Sequence, residues 1–553
     1  MGFLILGIAV LYFLITIRNF RYGLFIFLAA LPSYLIRFKI PLGTPFVKGE
    51  VLLPTTMLEV MFWILFFIWI TRMGLPTGQA GSRPANNTNI GVISAPPWRG
   101  LVKSRMFFPI VLFFASSIIA IFVSPNWWQS LGIWRAYFLE PMLFFAMLLT
   151  LGHSVSEKSL PPSGADSLWE RERSTWGHRV SNTIVWPLAI SVFYVSIIAI
   201  AQRFFGWPIP YPWQSELRVT SIFEYPNAVG LFIAPILMLI LGFLISRIFA
   251  PACPVGRPAC PVGRDCTDTV TPPRPPLVRG GNETIRVIRG PVGGALVKSR
   301  ALFDVKTFFL IVTFFLGILA IILAKSDGAI VGLAAGLAVL GIIYNRKTRL
   351  AAAILLIAIA IVILAVPSVN QLVGEKFLLG DWSGYVRQTI WGETWQMLKD
   401  NPLLGAGLAG YQTVFAPYHQ AKGIEIFMYP HNIFFNFWSE LGMLGLLGFI
   451  WMIVEWFKKT ISNFQFPISR PFTIAVLSSM IVILVHGLVD VPYFKNDLAF
   501  LFWIIFAMPF ILIPPVRIST DVPAPFYLFF RQRRIRLGRK LGATRYATLS
   551  YFI

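Results

Sequence analysis

The sequence predicts an all-α polytopic membrane protein with twelve or thirteen transmembrane helices. Three observations carry that expectation. Hydrophobic residues make up 56% of the chain and charged residues only 13%, against about 25% charged in soluble proteins. Mean hydropathy is +0.71. Apolar runs near the ~20 residues that cross a bilayer recur along the chain. Together these exclude a soluble globular enzyme, a disordered chain and a disulfide scaffold.

The expected spans are 2–17, 22–36, 51–71, 106–124, 132–151, 183–202 and 225–246, then 305–324, 328–345, 350–367, 438–457, 471–489 and 498–516. The first two are short and the second contains Pro32, which leaves the count between twelve and thirteen. The first lacks a basic leader and a clear A-x-A site, so it reads as an uncleaved span.

Orientation follows from Lys and Arg. With the N-terminus outside, alternating spans leave 35 of the 47 basic residues in inner segments and 12 outside. Such a bias marks cytoplasmic loops. The chain is therefore expected in the cytoplasmic (inner) membrane, with loop 368–437 on its outer face. The bias also accounts for the net charge of +23 without nucleic acid, for which no aromatic-interleaved basic platform is present.

The expected organisation places N-terminal membrane helices in 1–246, with cytoplasmic linkers at 73–105 and 152–182, and a flexible cytoplasmic linker at 247–304. C-terminal membrane helices fill 305–516, and 517–553 forms a basic cytoplasmic tail suited to anionic headgroups. The third linker repeats PACPVGR at 251–257 and 258–264, and LVKSR occurs at both 101–105 and 296–300. These stretches are too polar to fold alone. Cys253, Cys260 and Cys266 lie in the same linker at a spacing that is not a zinc spacing.

Chemistry concentrates in 368–437. In GYVRQTIWGETWQMLKD (384–400), Trp391, Trp395 and Leu398 form an i, i+4, i+7 stripe. That helix either lies at headgroup level or packs on the bundle, and both can hold. Gly405-Ala-Gly407-Leu-Ala-Gly410 is a literal G-x-G-x-x-G, but no strand precedes it. A tight turn that lets backbone approach a ligand or a neighbouring helix is the better reading. His431 precedes a membrane-entering segment, and Arg218 and Arg387 lie in external loops. A guanidinium pair suits a phosphate or diphosphate, because the planar fork binds oxyanions bidentately and stays charged. A neutral imidazole beside it can take a proton from a hydroxyl.

Here the residues resemble a known family. DNPLLGAGLAGYQ (400–412), YPHN (429–432) and SELGMLGLLGF (439–449) resemble the signature region of the O-antigen ligase/polymerase family. RVTSIFEYPNAVG (218–230) and YVRQTIW (385–391) resemble its two arginine motifs. KSDGAIVGL (325–333) resembles its S-R-G-A helix start, with Asp327 where Arg is usual. The resemblance spans roughly 215–515. It implies a GT-C-like bundle and an inverting glycosyltransferase that needs neither metal nor other cofactor. Such enzymes transfer a glycan from a polyprenyl diphosphate carrier, such as undecaprenyl diphosphate, to an acceptor hydroxyl. They act at the outer face of the membrane, as in lipopolysaccharide assembly. Arg218 and Arg387 then match the diphosphate-holding arginines and His431 the histidine that activates the acceptor. The implied partners are the lipid-linked glycan, an acceptor lipid, glycan or protein hydroxyl, and membrane lipids.

Other polar residues carry open readings. Arg135 either snorkels or supports function, and Asn432 and Asp490 are candidates for supporting roles. An Asp490–Lys495 bridge is expected to shape the cleft, and Glu59 and Glu440 to pair within the bundle. A polymerase, acting on a second lipid-linked glycan, is the close alternative to a ligase. A transporter of a lipid-linked substrate is the alternative from another class. It would favour inverted repeats, of which the sequence shows no convincing sign.

Overall fold

The computed structural model describes residues 2–42, 51–73, 104–154, 166–248, 304–377, 380–465 and 470–512. All belong to one compact unit, Met1–Ile513. The basic tail 517–553, the cysteines and most of the linkers at 73–105 and 247–304 lie outside the described residues.

The described residues are helical apart from one strand pair and the connections, and every apolar run named above contains α-helix. In order these are α1 (Gly2–Arg18), α2 (Phe20–Ala29), α3 (Met57–Met73), α4 (Phe107–Val123), α5 (Trp127–Trp134), α6 (Glu140–Ser154), α7 (Asp166–Phe204) and α8 (Pro226–Ile248). After the linker come α9 (Val305–Leu323), α10 (Asp327–Tyr344), α11 (Arg346–Ala365), α12 (Pro367–Phe377), α13 (Trp382–Asp400), α14 (Tyr411–Phe415), α15 (Ile433–Ser462), α16 (Arg470–His486) and α17 (Asn496–Ile511). Among the described residues, seven helices are long and apolar enough to cross a membrane, α5 and α6 counting as one through the π-turn Arg135–Leu139. Five apolar helices are shorter. The fold class is that of an all-α polytopic membrane protein.

Three boundaries differ from the sequence reading. Residues 51–56 are not helical: β2 (Val51–Thr56) pairs antiparallel with β1 (Arg37–Leu42), Arg37 opposite Thr56. Their Leu, Ile and Val content serves a strand as well as a span. Helix α7 begins at Asp166, so half of the linker expected at 152–182 is a polar helical extension of a span. Helix α15 begins at Ile433, which ends the long loop at Asn432.

Helix α17 is buried along nearly its whole length and packs on α6. Helix α16 packs between α8 and α10, α15 runs along α4, and α7 lies against α9 and α2. Helix α11 has no buried side chain and touches chiefly α10.

Described residues of six connections meet at one end of this bundle: 30–42 with 51–56, 124–126, 205–225, 324–326, 366–377 with 380–432, and 487–495. Contacts join them there. Arg37 pairs with Glu224 at 3.2 Å, Val219 N donates to Leu323 O, and Leu408 N donates to Ala120 O. The glycine-rich turn 405–410 is the dock between the long loop and the bundle. Gly407 sits at φ +75°, and a Cβ there would lie 2.6 Å from Ser124 N. The turn also meets a break in α15 at Gly442, φ +71°, where Met443 N donates to Leu403 O and Ala406 N to Ser439 O. Ser130 Oγ closes the dock on Leu408 O at 2.5 Å. The sequence reading of this turn, backbone meeting a neighbouring helix, describes it well.

Gly407→Ala adds both a left-handed strain and a backbone clash. It is expected to cost about 2–4 kcal/mol and to lower the thermal unfolding midpoint in detergent. A midpoint equal to that of the unchanged protein would show that the turn is not the dock.

Candidate active site

The site is organised by Gly487–Lys495, the segment that joins α16 to α17. A helix end leaves carbonyls without intrahelical donors, and here two other parts of the chain, 432–433 and Arg387, supply donors to the carbonyls that follow it. Ile433 N donates to Gly487 O at 2.7 Å. Asn432 Nδ2 donates to Leu488 O at 2.9 Å, and Arg387 Nε to Val489 O at 2.9 Å. Asp490 follows, almost buried. One of its oxygens accepts from Asn227 Nδ2 at 2.9 Å. The other accepts from Val491 N at 2.8 Å and lies 3.5 Å from His431 Nδ1.

Arg218 approaches from the α7–α8 connection. Its Nε donates to Ala324 O at 3.2 Å. Its Nη2 donates to Asn227 Oδ1 at 3.2 Å and to Lys325 O at 3.3 Å. Nη1 lies 3.8 Å from the Glu216 carboxylate, and the guanidinium sits over the Trp213 ring at 5.2 Å. Burial pushes Arg218 down from its ordinary pKa, as does the charge of Arg387, while Glu216 and Asp327 oppose this. A guanidinium tolerates such a shift and stays charged. Arg387 is held by Val489 O and by Ser383 Oγ at 2.5 Å, and its Nη2 has no partner among the described residues.

His431 is held in a left-handed backbone conformation, φ +50°, which costs a non-glycine residue energy. Asn432 next to it caps α15, accepting from Phe434 N at 3.0 Å and Phe435 N at 3.1 Å. The Phe427 ring meets the imidazole edge-on at 5.0 Å. With Nδ1 turned to Asp490, Nε2 has no hydrogen-bond partner among the described residues. Burial alone would raise the Asp490 pKa. His431, the charge of His486 and the Val491 amide outweigh it and hold the carboxyl below the usual carboxylate range. An ionised carboxylate facing Nδ1 favours the tautomer with its proton there and a free lone pair on Nε2.

The three residues singled out in the sequence, Arg218, Arg387 and His431, thus all reach the 487–491 segment directly or through one side chain. Asp490 and Asn432 belong to the same constellation. The expected Asp490–Lys495 bridge is absent: Asp490 is taken by Asn227 and His431, and Lys495 Nζ lies 3.7 Å over the Tyr225 ring. Burial brings the Lys495 pKa down to about 8.

Arg135 stands apart and does not snorkel. It pairs with Glu59 at 2.6 Å and Glu140 at 3.5 Å with its side chain 22% exposed. Thr55 and Asn496 also hold Glu59, at 2.8 and 2.9 Å. Glu59 therefore pairs within the bundle as expected, and Glu440 accepts from Ala409 N at 2.7 Å, fixing the glycine-rich turn. At the start of α10, Asp327 pairs with Lys376 at 2.7 Å, and Lys376 reaches Asp381 at the same distance. A cation does stand at that helix start, but α12 delivers it.

The sequence reading missed Asn227, although it lies inside the first arginine motif, because an amide shows no charge to draw attention. It also placed the buried stripe of α13 slightly off. Ile390, Thr394, Met397 and Leu398 are the buried positions, packed on Tyr411, Phe415 and Ile424, while Trp395 is 45% exposed. The long loop has a small core of its own. His419 fastens it: Nδ1 meets Glu393 Oε2 and Nε2 meets Ile424 O, both at 2.8 Å. Both ring nitrogens face acceptors, which suits the imidazolium, and the Glu393 hydrogen bond raises its pKa against the opposing effect of burial.

Two outcomes follow from these contacts. Glu59→Ala leaves Arg135 and Asn496 without a main partner and is expected to cost about 3–5 kcal/mol, read as a lowered unfolding midpoint; an unchanged midpoint would contradict a structural role. The His419 contribution has a raised folded pKa. It is complete below the ordinary value near ~6.5 and is lost as pH rises through the folded value. Hydrogen-exchange protection of 411–427 should therefore fall on going from pH 6 to 9, and His419→Gln should flatten that dependence. Protection that rises with pH would refute the assignment.

Residues 312–450 match the family model described as O-antigen ligase, about a quarter of the chain. The match covers α13, Arg387, the glycine-rich turn, His431 and the first part of α15, and it supports an O-antigen ligase/polymerase family. It also supports a membrane glycosyltransferase-like function of that general kind. No curated protein matches the chain.

Proposed function

We propose that the protein transfers a glycan from a polyprenyl diphosphate carrier to an acceptor hydroxyl at the outer face of the cytoplasmic membrane. The observation that carries this reading is the meeting of Arg218, Arg387 and His431, from distant parts of the chain, around the 487–491 segment.

In this reading the guanidiniums hold the diphosphate, with Arg387 Nη2 as a ready donor. The acceptor hydroxyl lies against His431 Nε2. Its oxygen attacks the anomeric carbon, and its proton passes to Nε2. The bond between that carbon and the phosphate oxygen breaks, and the electron pair leaves with the diphosphate. Attack from the face opposite the leaving group inverts the anomeric configuration. Negative charge grows on the leaving oxygen, where fixed guanidiniums in a partly dry site stabilise it more than mobile water does. Asp490 stabilises the imidazolium that forms, as a buried carboxylate does behind a catalytic histidine. The carrier's tail stays in the bilayer, which is why the chemistry sits at the end of the bundle. A polymerase is the same chemistry with a second lipid-linked glycan as acceptor.

The test supplies purified full-length protein with a defined polyprenyl diphosphate glycan and a set of acceptors, and identifies the product by mass. His431→Ala should lower transfer by about 10²–10⁴-fold, and Asp490→Asn by a comparable factor through the wrong tautomer. Arg387→Lys keeps the charge but loses the fork, and should lower transfer at least ~10-fold. Full transfer by His431→Ala would remove the base from this mechanism.

A further inference from the structure

We infer that Asn227 is a positioning residue that couples the arginine holding the carrier to the base that activates the acceptor; this rests on the reading proposed above. Among the described residues, Asn227 is the single side chain that hydrogen-bonds both Arg218 and Asp490. Its Oδ1 accepts from Arg218 Nη2 at 3.2 Å, and its Nδ2 donates to Asp490 Oδ2 at 2.9 Å. Asp490 in turn faces His431 Nδ1 at 3.5 Å. Hydrogen bonds therefore run from guanidinium through amide to carboxylate, and the carboxylate faces the imidazole at 3.5 Å.

The chemistry of the partners fixes the amide's orientation. Arg218 can only donate and an ionised Asp490 can only accept. A residue between them must accept on one side and donate on the other, and a carboxamide does both from one planar group. Asp in its place could accept from Arg218 but would set a second carboxylate against Asp490. Ala would do neither. Asn227 also occupies the first turn of α8, where an Asn side chain readily bonds nearby backbone amides. Here it reaches outward to Arg218 and Asp490 instead.

Two features point to coupling rather than to simple support of Arg218. Arg218 is already held by Ala324 O and Lys325 O without Asn227. Asp490 is held by Val491 N but depends on Asn227 for the side-chain donor to its other oxygen. Losing the amide therefore leaves Arg218 seated and lets the carboxylate turn away from His431. A polarised amide between a cation and an anion also strengthens both of its hydrogen bonds, so the pose of one end is felt at the other.

The experiment uses the full-length protein in nanodiscs and reads kcat, KM for the carrier, and equilibrium binding of a short polyprenyl diphosphate. Asn227→Ala should lower kcat about 10–100-fold while carrier binding stays within about threefold. Retained binding shows that the variant is folded. Asn227→Asp should be slower still, because Arg218 keeps its acceptor while Asp490 meets a like charge. Combined with Asp490→Asn, the Asn227→Ala loss should largely vanish; combined with Arg387→Ala it should multiply. Wild-type kcat for Asn227→Asp, a loss confined to carrier binding, or full multiplication with Asp490→Asn would each overturn the coupling. If His431→Ala transfers normally, the catalytic reading fails first; if it is inactive while the Asn227 variants are unaffected, only the coupling fails.

Discussion

The constellation depends on keeping one ionised carboxylate in a nearly closed place. Asp490 is almost buried, and an isolated carboxylate there would take up a proton rather than stay charged. An amide from α8, a backbone N–H from its own segment and an imidazole from the long loop keep it charged. Each donor comes from a different part of the chain, so the carboxylate gathers what the sequence separates. The left-handed backbone at His431 adds to this: a strained residue stays in place only when its surroundings hold it, and here the α15 cap and the Phe427 ring do so.

The long loop is not a passive lid. It has its own small core around Tyr411 and Phe415, an internal pin at His419, and a dock on the bundle through the glycine-rich turn. Those three restraints involve no residue of 487–491. They place α13 and the His431 segment on firm supports, which an oriented imidazole requires. The 312–450 match falls on this assembly together with α10 and α11, whereas Arg218, Asn227 and Asp490 come from outside it.

Much of this was legible in the chain. Apolar length located the helices, since few other sequences satisfy a bilayer. Arg218, Arg387 and His431 stood out as two guanidiniums and an imidazole in connections expected on the same outer face. Partners were harder to read, because pairing depends on which helices neighbour one another. The sequence offered Lys495 for Asp490, five residues away, when the partners come from α8 and the long loop. Arg135 could be read as snorkelling only because Glu59 lies far off in sequence. The pairing of β1 with β2 escaped notice because the apolar second strand leads straight into a span, and hydropathy does not distinguish the two.

Helix α11 shows the opposite extreme. Among the described residues none of its side chains is buried, whereas α17 buries nearly all of its own. Away from its contact with α10, the order of Ile, Leu, Val and Ala along α11 answers mainly to partition into hydrocarbon. Shuffling its exposed residues leaves that partition unchanged, while the same exercise on α17 would dismantle the interior. One polypeptide thus holds a stretch specified residue by residue and another specified by composition alone.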